Sequence, residues 1–134
     1  MLHTISYVST SKKLSDFQIN ELLYISKLKN DELNITGILM HSDQNFFQII
    51  EGEKPIILNL YRKIEEDLRH FNLIKIFDRP IHTPSFKSFQ SSYTTVRGKK
   101  DYLELQQFLE QEKAHNRKSF KSISYLTNKF LGLP

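Results

Sequence analysis

Apolar residues recur along this chain with two different periods, and the switches between them predict the order of its elements. HTISYVS (residues 3–9) is rich in β-branched and aromatic residues, which suits a strand with Ile5 and Tyr7 on one face. Ser15 followed three residues later by Gln18 makes a capping box, and Leu14 with Ile19 has the spacing of a hydrophobic staple, so a helix begins there. Ile19, Leu22, Leu23 and Ser26 recur at helical intervals while Glu21, Lys27 and Lys29 look outward; the helix is predicted to stop near Asn30. NITGILMH (34–41) is a continuous apolar run suited to a buried strand, SDQN carries turn chemistry, and FFQIIEG (46–52) follows as the second arm of a hairpin. Pro55 suits the first turn of a second helix, whose apolar stripe is Ile57, Leu60, Tyr61 and Ile64 and whose predicted end is near Leu68. LIKIFDRPI (73–81) and SFQSSYTTV (88–96) read as two more strands, the first closed by Pro80, with Pro84 in the loop between them. Two helical patterns finish the chain, 101–113 with Tyr102, Leu103, Leu105 and Phe108, and 117–131 with Phe120, Ile123, Leu126 and Phe130.

The order is βαββαββ, an α+β arrangement of ferredoxin-like type followed by two C-terminal helices. Right-handed crossovers lay the strands in one sheet and put both crossover helices on the same face. The opposite face needs a cover, for which the tail helices are the natural candidates, docked there or on a partner subunit. The 134 residues suit one domain around a single core. The reading divides them into a core domain, 1–96, and a helical extension, 97–134, for output or oligomerisation.

Charge sharpens that division. Residues 1–96 hold 11 Lys and Arg against 11 Asp and Glu, whereas 97–134 hold 8 against 4, so the whole net charge of +4 lies in the tail. Interleaved with acids, these cations read as a solvated helix face rather than a nucleic-acid surface. The absence of cysteine excludes disulfides, thiolate metal sites and any cofactor attached through sulfur. No apolar run approaches the ~20 residues of a membrane span, and the start shows no leader, so a cytoplasmic protein without membrane contact is expected. Four glycines, at 37, 52, 98 and 132, cannot write a phosphate loop or a dinucleotide fingerprint, and no two histidines stand at metal-binding helical spacing. Most of the histidines read as surface groups, no bound metal is expected, and the protein is not read as an enzyme.

The residues that stand out are polar ones in apolar settings. Gln48 alternates with Phe46 and Ile50, so its amide points where they point, beneath a helix. A buried amide left without partners costs about 1–3 kcal/mol, and a buried phenol such as Tyr7 likewise hands its hydroxyl to an acceptor. The two can answer each other, either as a satisfied pair that stiffens the sheet or as a relay passing a proton.

NITGILMHSDQNFFQIIEG followed by LYRKIEEDLRH closely resembles the BLUF domain, the flavin-based blue-light sensors, and the resemblance runs over residues 2–95. The resemblance implies a flavin, FAD or else FMN or riboflavin, bound without a covalent bond between the two crossover helices. It makes Tyr7 and Gln48 the photochemical switch, a light-driven proton-coupled electron transfer that leaves the Gln48 amide rearranged and the absorption red-shifted. Counting back from Gln48 at the family's spacing selects Asn30 rather than Asn34 as the amide on the ring's polar edge; from the residues alone Asn30 reads as a helix C-cap. Lys63, Asp67, Arg69 and His70 match positions near the ring, ribityl chain or phosphate, and otherwise read as the charged end of the second helix. The last strand departs from the family: in F-K-S-F-Q-S, Phe89 and Ser91 stand where Trp and Met are usual, so the usual signal relay is altered. Asn34 replaces a Gly often found before I-T-G, a change Asn tolerates because it visits left-handed backbone.

The function expected is therefore a blue-light photoreceptor, with no effector fused, signalling to a separate, unidentified partner protein and assembling as a homo-oligomer. The alternative is a light-insensitive ferredoxin-like interaction module. A single-stranded RNA binder shares the strand order, but the aromatic RNA-binding signature is missing and residues 1–96 are charge-neutral.

Overall fold

The computed structural model describes residues 1–86, 89, 93–115 and 118–132, with side chains described outside 113–122. Its elements are β1 (Leu2–Ser11), α1 (Asp16–Glu32), β2 (Thr36–Ser42), β3 (Asn45–Glu53), α2 (Lys54–Glu66), β4 (His70–Ile81), β5 (Tyr93–Val96), α3 (Gly98–His115) and α4 (Lys118–Leu131). The described strands form one sheet in the order β4-β1-β3-β2-β5. This is the α+β, ferredoxin-like architecture expected from the pattern.

Local chemistry sets most of the boundaries. The capping box at α1 is complete: Ser15 Oγ accepts the Gln18 N–H at 3.1 Å and Gln18 Oε1 accepts the Ser15 N–H at 2.8 Å. α1 runs two residues past Asn30, so the cap falls on Leu33, and the chain leaves the helix through Asn34 at φ 56°. The two-residue turn between β2 and β3 has positive φ at both Asp43 (50°) and Gln44 (62°), the combination whose twist matches paired strands. In β2, Gly37 has φ 136°, and a Cβ there would lie 2.0 Å from the Ile49 carbonyl oxygen of β3. Only glycine lets these two strands approach so closely.

α2 stops at Glu66 rather than near Leu68, which takes Asp67, Arg69 and His70 out of the helix. Asp67 is the cap, in an extended conformation, and its carboxylate accepts the Arg69 backbone N–H at 3.0 Å; that side-chain turn competes with helix continuation. β4 then begins at His70, three residues earlier than predicted. As an edge strand it tolerates Pro80. β5 is described over Tyr93–Val96; residues 88 and 90–92 of the strand expected there lie outside the described residues, and Ser91 with them.

The core under the helices joins Ile5, Tyr7, Leu39, Phe46 and Ile50 of the sheet to Leu22 and Leu23 of α1 and Ile57 and Tyr61 of α2. The alternate positions Ile38, Met40, Phe47 and Ile49 face the other side and are also buried. Glu51 shares that second face. Its buried carboxylate accepts from Thr36 Oγ1 at 3.0 Å and from the backbone N–H groups of Ser85 (2.7 Å) and Phe86 (3.0 Å), which pins the β4–β5 connection to β3. Burial pushes the Glu51 carboxyl up, and these hydrogen bonds oppose the shift.

Three of the histidines are less exposed than expected. His3 is buried beside Asp78, and His41 and His70 are half-buried, because all three lie on paired strands. The chain forms two compact units, Met1–Thr95 and Val96–Pro134. In the second unit Leu105, Phe108 and Leu109 of α3 are buried together with Ile123 of α4, and Gln106 Nε2 donates to Asn128 Oδ1 at 3.3 Å. Leu103, expected on the same stripe, is exposed: two residues from Leu105 is a rotation of about 200° around a helix. No described helix is long and apolar enough to cross a membrane.

Candidate functional site

Tyr7 of β1 and Gln48 of β3 are directly opposed in the antiparallel ladder, and Leu39 of β2 is opposed to Gln48 on its other side. Directly opposed side chains on one face start only about 5 Å apart at Cβ. The Tyr7 hydroxyl accordingly reaches Gln48 and donates to Oε1 at 2.6 Å. The other end of the same amide, Nε2, donates to the hydroxyl of Tyr93 in β5. Tyr93 is also hydrogen-bonded to the side chain of Asn30, in the last turn of α1. All four side chains are buried. A continuous polar chain, Tyr7–Gln48–Tyr93–Asn30, thus crosses the sheet inside an otherwise apolar layer.

Burial dominates the electrostatics of this chain. It pushes the Tyr7 phenol well above its ordinary pKa, and the neighbouring Tyr61 and Asp67 add to the effect. Tyr93 is raised for the same first reason, with Tyr7 adding and the hydrogen bonds from Gln48 and Asn30 opposing. Both phenols therefore hold their protons at physiological pH.

Beside this chain a cavity of about 260 Å³ opens between α1 and α2. Tyr7, Asn30, Gln48, Lys63, Asp67, Arg69 and His70, each singled out from the sequence, all line it. Asp67 and Arg69 form a forked pair, with Arg69 Nη2 donating to Asp67 Oδ2 at 2.6 Å and Nε to Oδ1 at 3.0 Å. The Arg69 hydrogen bond holds the Asp67 carboxyl below the usual carboxylate range and raises Arg69 in turn. His70 Nε2 donates to the Ile64 carbonyl at 2.6 Å, since a carbonyl can only accept; in the neutral ring Nδ1 then accepts from the Ser9 hydroxyl at 2.7 Å. Both ring nitrogens are thus used within the protein, leaving the ring itself to line the cavity.

Phe89 is buried but is not part of this wall, and Ser91 lies outside the described residues. Sequence reasoning missed Ser26 and Lys29 on the wall and, above all, Tyr93 behind it. The signal for Tyr93 was its place in the sequence: the strand predicted over 88–96 would put it on the same face as positions 89 and 91, and 93 carries the hydroxyl.

The wall suits a flavin. Asn30 and Gln48 can each accept and donate, which matches a ring edge carrying carbonyls and an N–H. Ile25 and Leu33 line the cavity yet are 41% and 45% exposed, apolar surface that a flat aromatic ring would cover. Lys29, Lys63 and Arg69 supply cations toward a phosphate-bearing chain.

Comparison with known proteins agrees with that chemistry. The alpha subunit of photoactivated adenylate cyclase from Euglena gracilis is 33% identical over 81 residues, 60% of this chain and 8% of the relative. The chain spans about a tenth of the length of the curated relatives it matches first. Among solved structures, a bacterial light-regulated adenylyl cyclase is 31% identical with a TM-score of 0.64, covering 71% of this chain and 28% of that one. BlsA in its photo-activated state is 27% identical with a TM-score of 0.63, covering 75% and 73%. The family model described as sensors of blue light using FAD matches residues 2–92, a sensor family and not a catalytic one. With that match over two thirds of its length, and with a tyrosine, an asparagine and a glutamine on one flavin-sized wall, the chain belongs to the BLUF family.

Proposed function

We propose that Tyr7 and Gln48 are the photochemical switch of this chain, that Asn30, Gln48, Lys63, Asp67, Arg69 and His70 hold the flavin, and that residues 97–134 pass the signal on. FAD is the flavin of the family, and FMN or riboflavin present the same ring to the same amides. When bound, the flavin supplies blue-light absorption and a reversible appetite for one electron. The rest falls to the protein. Tyr7, buried and neutral, loses an electron only as its hydroxyl proton moves along the 2.6 Å bond to Gln48 Oε1. Gln48 then turns or tautomerises, and when the electron and the proton have both returned to Tyr7 the amide is left presenting a different end to the cavity. The stored signal is a few exchanged hydrogen bonds, each worth about 1 kcal/mol, enough to bias a two-state neighbour.

The output passes to a separate protein. A cytoplasmic setting is supported by the cysteine-free composition. A homo-oligomer is supported by the apolar stripe of Phe17, Tyr24 and Leu28, which stands exposed on α1.

The observation that carries this reading is the Tyr7–Gln48 hydrogen bond set into the wall of the cavity. An absorption spectrum of the purified, FAD-loaded chain before and after a blue flash tests it. The flavin band is expected to move to the red and return in darkness. A chain that takes up no flavin, or whose band stays fixed, is instead the light-insensitive interaction module.

A further inference from the structure

Gln48 is held at both ends by phenols, and the second phenol does something the first cannot. A carboxamide has one end that accepts and one that donates, so its orientation is set by which neighbour offers a hydrogen and which offers a lone pair. Tyr7 offers its hydrogen to Oε1, while Tyr93 offers a lone pair to Nε2. Tyr93 can also do the reverse, because a hydroxyl both donates and accepts. Turned by half a revolution, Gln48 would place Oε1 at Tyr93, whose own hydroxyl hydrogen can be given to it while the Asn30 side chain still donates to the hydroxyl oxygen. Both orientations of the amide are then satisfied on this side, which is what a two-state element requires. A methionine thioether cannot donate at all, and Phe89 has no polar atom.

The main chain of Tyr93 gives this a route outward. Its carbonyl accepts from Lys27 Nζ at 2.9 Å, and Lys27 also pairs with Asp31 Oδ2 at 3.1 Å on the same helix. A shift of the Tyr93 hydroxyl is therefore a shift of a residue that belongs to β5 and is tied to α1. Tyr93 does not line the cavity, so it acts on the flavin only through Gln48 and Asn30.

We propose that Tyr93 is the positioning residue that sets which end of Gln48 faces Tyr7 and carries the turning of that amide into β5 and, through Lys27, into α1. The proposal rests on the reading of Tyr7 and Gln48 as the switch.

The test compares the chain with its Tyr93→Phe variant and with fluorotyrosine placed at position 93, a change that keeps the ring and hydroxyl but makes the hydroxyl a stronger donor. In the flavin-free, 15N-labelled chain, the Gln48 side-chain amide protons are expected to exchange with solvent about tenfold faster in Tyr93→Phe, the factor for losing one hydrogen bond. In the FAD-loaded chain, dark recovery is expected to be about tenfold faster in Tyr93→Phe, whose rotated amide has lost its donor, and slower with fluorotyrosine. The light-dependent change in backbone hydrogen exchange at Thr94 to Val96 is expected to vanish in Tyr93→Phe. Variants that match the unaltered chain in amide exchange, recovery and β5 exchange overturn the proposal while leaving the Tyr7–Gln48 switch standing. An unaltered chain whose spectrum ignores light overturns the switch, and the flavin-free exchange then decides by itself whether Tyr93 holds the amide.

Discussion

At the scale of single residues, the site works by denying its phenols a charge. Burial holds Tyr7 in its protonated form, so oxidation of the ring has to carry the proton out along the hydrogen bond to Gln48 Oε1. Tyr7→Phe keeps the ring that packs edge-on against Tyr61 and His70, and so is expected to bind FAD and to show no red-shifted state. It also strips the buried Oε1 of its donor, which is expected to cost about 1–3 kcal/mol in urea unfolding. A photocycle left intact in that variant would remove Tyr7 from the mechanism. Asp78 shows the opposite electrostatics. His3 first, and Lys75 second, hold its carboxyl below the ordinary 3.8. A depressed carboxyl stabilises the fold above its unfolded pKa and loses that contribution as pH falls through its folded value. Asp78→Asn is therefore expected to unfold about 1 kcal/mol more easily near neutral pH, a modest figure because Asp78 is partly solvated, with the gap closing below pH 3.8. A gap that widens on acidification would contradict the assignment.

At the scale of elements, what could be read from the sequence was what neighbours along the chain decide. The Ser15–Gln18 box begins α1, Asp43 and Gln44 close the hairpin, and Pro55 opens α2, each by contacts within a few residues. That Tyr7 and Gln48 could answer each other was legible too, because period-two alternation puts both among apolar neighbours; their direct opposition was not, because the β1–β3 register joins strands separated by α1 and β2 rather than by a tight turn. The end of α2 was not, since Asp67 and Arg69 pass equally well for a helix terminus until their side chains are seen to make a turn. Nor was Tyr93, whose role depends on β5 pairing beside β2, a partnership set by distant chain. Gly37 lies between these cases: the I-T-G motif marks it, but only the β2–β3 contact explains it. Gly37→Ala would place a methyl against the Ile49 carbonyl at a φ that L residues avoid, and a loss of about 3 kcal/mol or more is expected in thermal or urea unfolding. Because Ile49 is next to Gln48, the yield of flavin-loaded protein is expected to fall with it. Gly52→Ala is the control: its new Cβ would meet only the side chains of Ile57, at 3.4 Å, and Ile35, at 3.6 Å, both ordinary contacts, and is expected to be mild.

At the scale of the molecule, the proposed sensing and output roles fall to different parts of the chain. Every residue on the cavity wall lies within Met1–Thr95, while α3 and α4, with their own buried residues, lie in Val96–Pro134. If the photochemistry depends only on the wall and the polar chain behind it, damage to the second unit should leave the spectrum alone. Leu109, 1% exposed, is the place to apply it. Leu109→Ala removes a buried side chain whose loss generally costs about 2–5 kcal/mol, and Leu109 is not among the residues assigned to the flavin. Faster hydrogen exchange along α3 is expected, with an FAD dissociation constant changed by less than about threefold, since every residue of the wall is kept. The red shift should keep its size, and any light-dependent change in oligomeric state or partner binding should shrink with the helix's stability. Should Leu109→Ala instead weaken FAD as much as a cavity substitution does, the binding site would extend beyond the first unit, and the division between a sensing unit and an output unit would have to be abandoned.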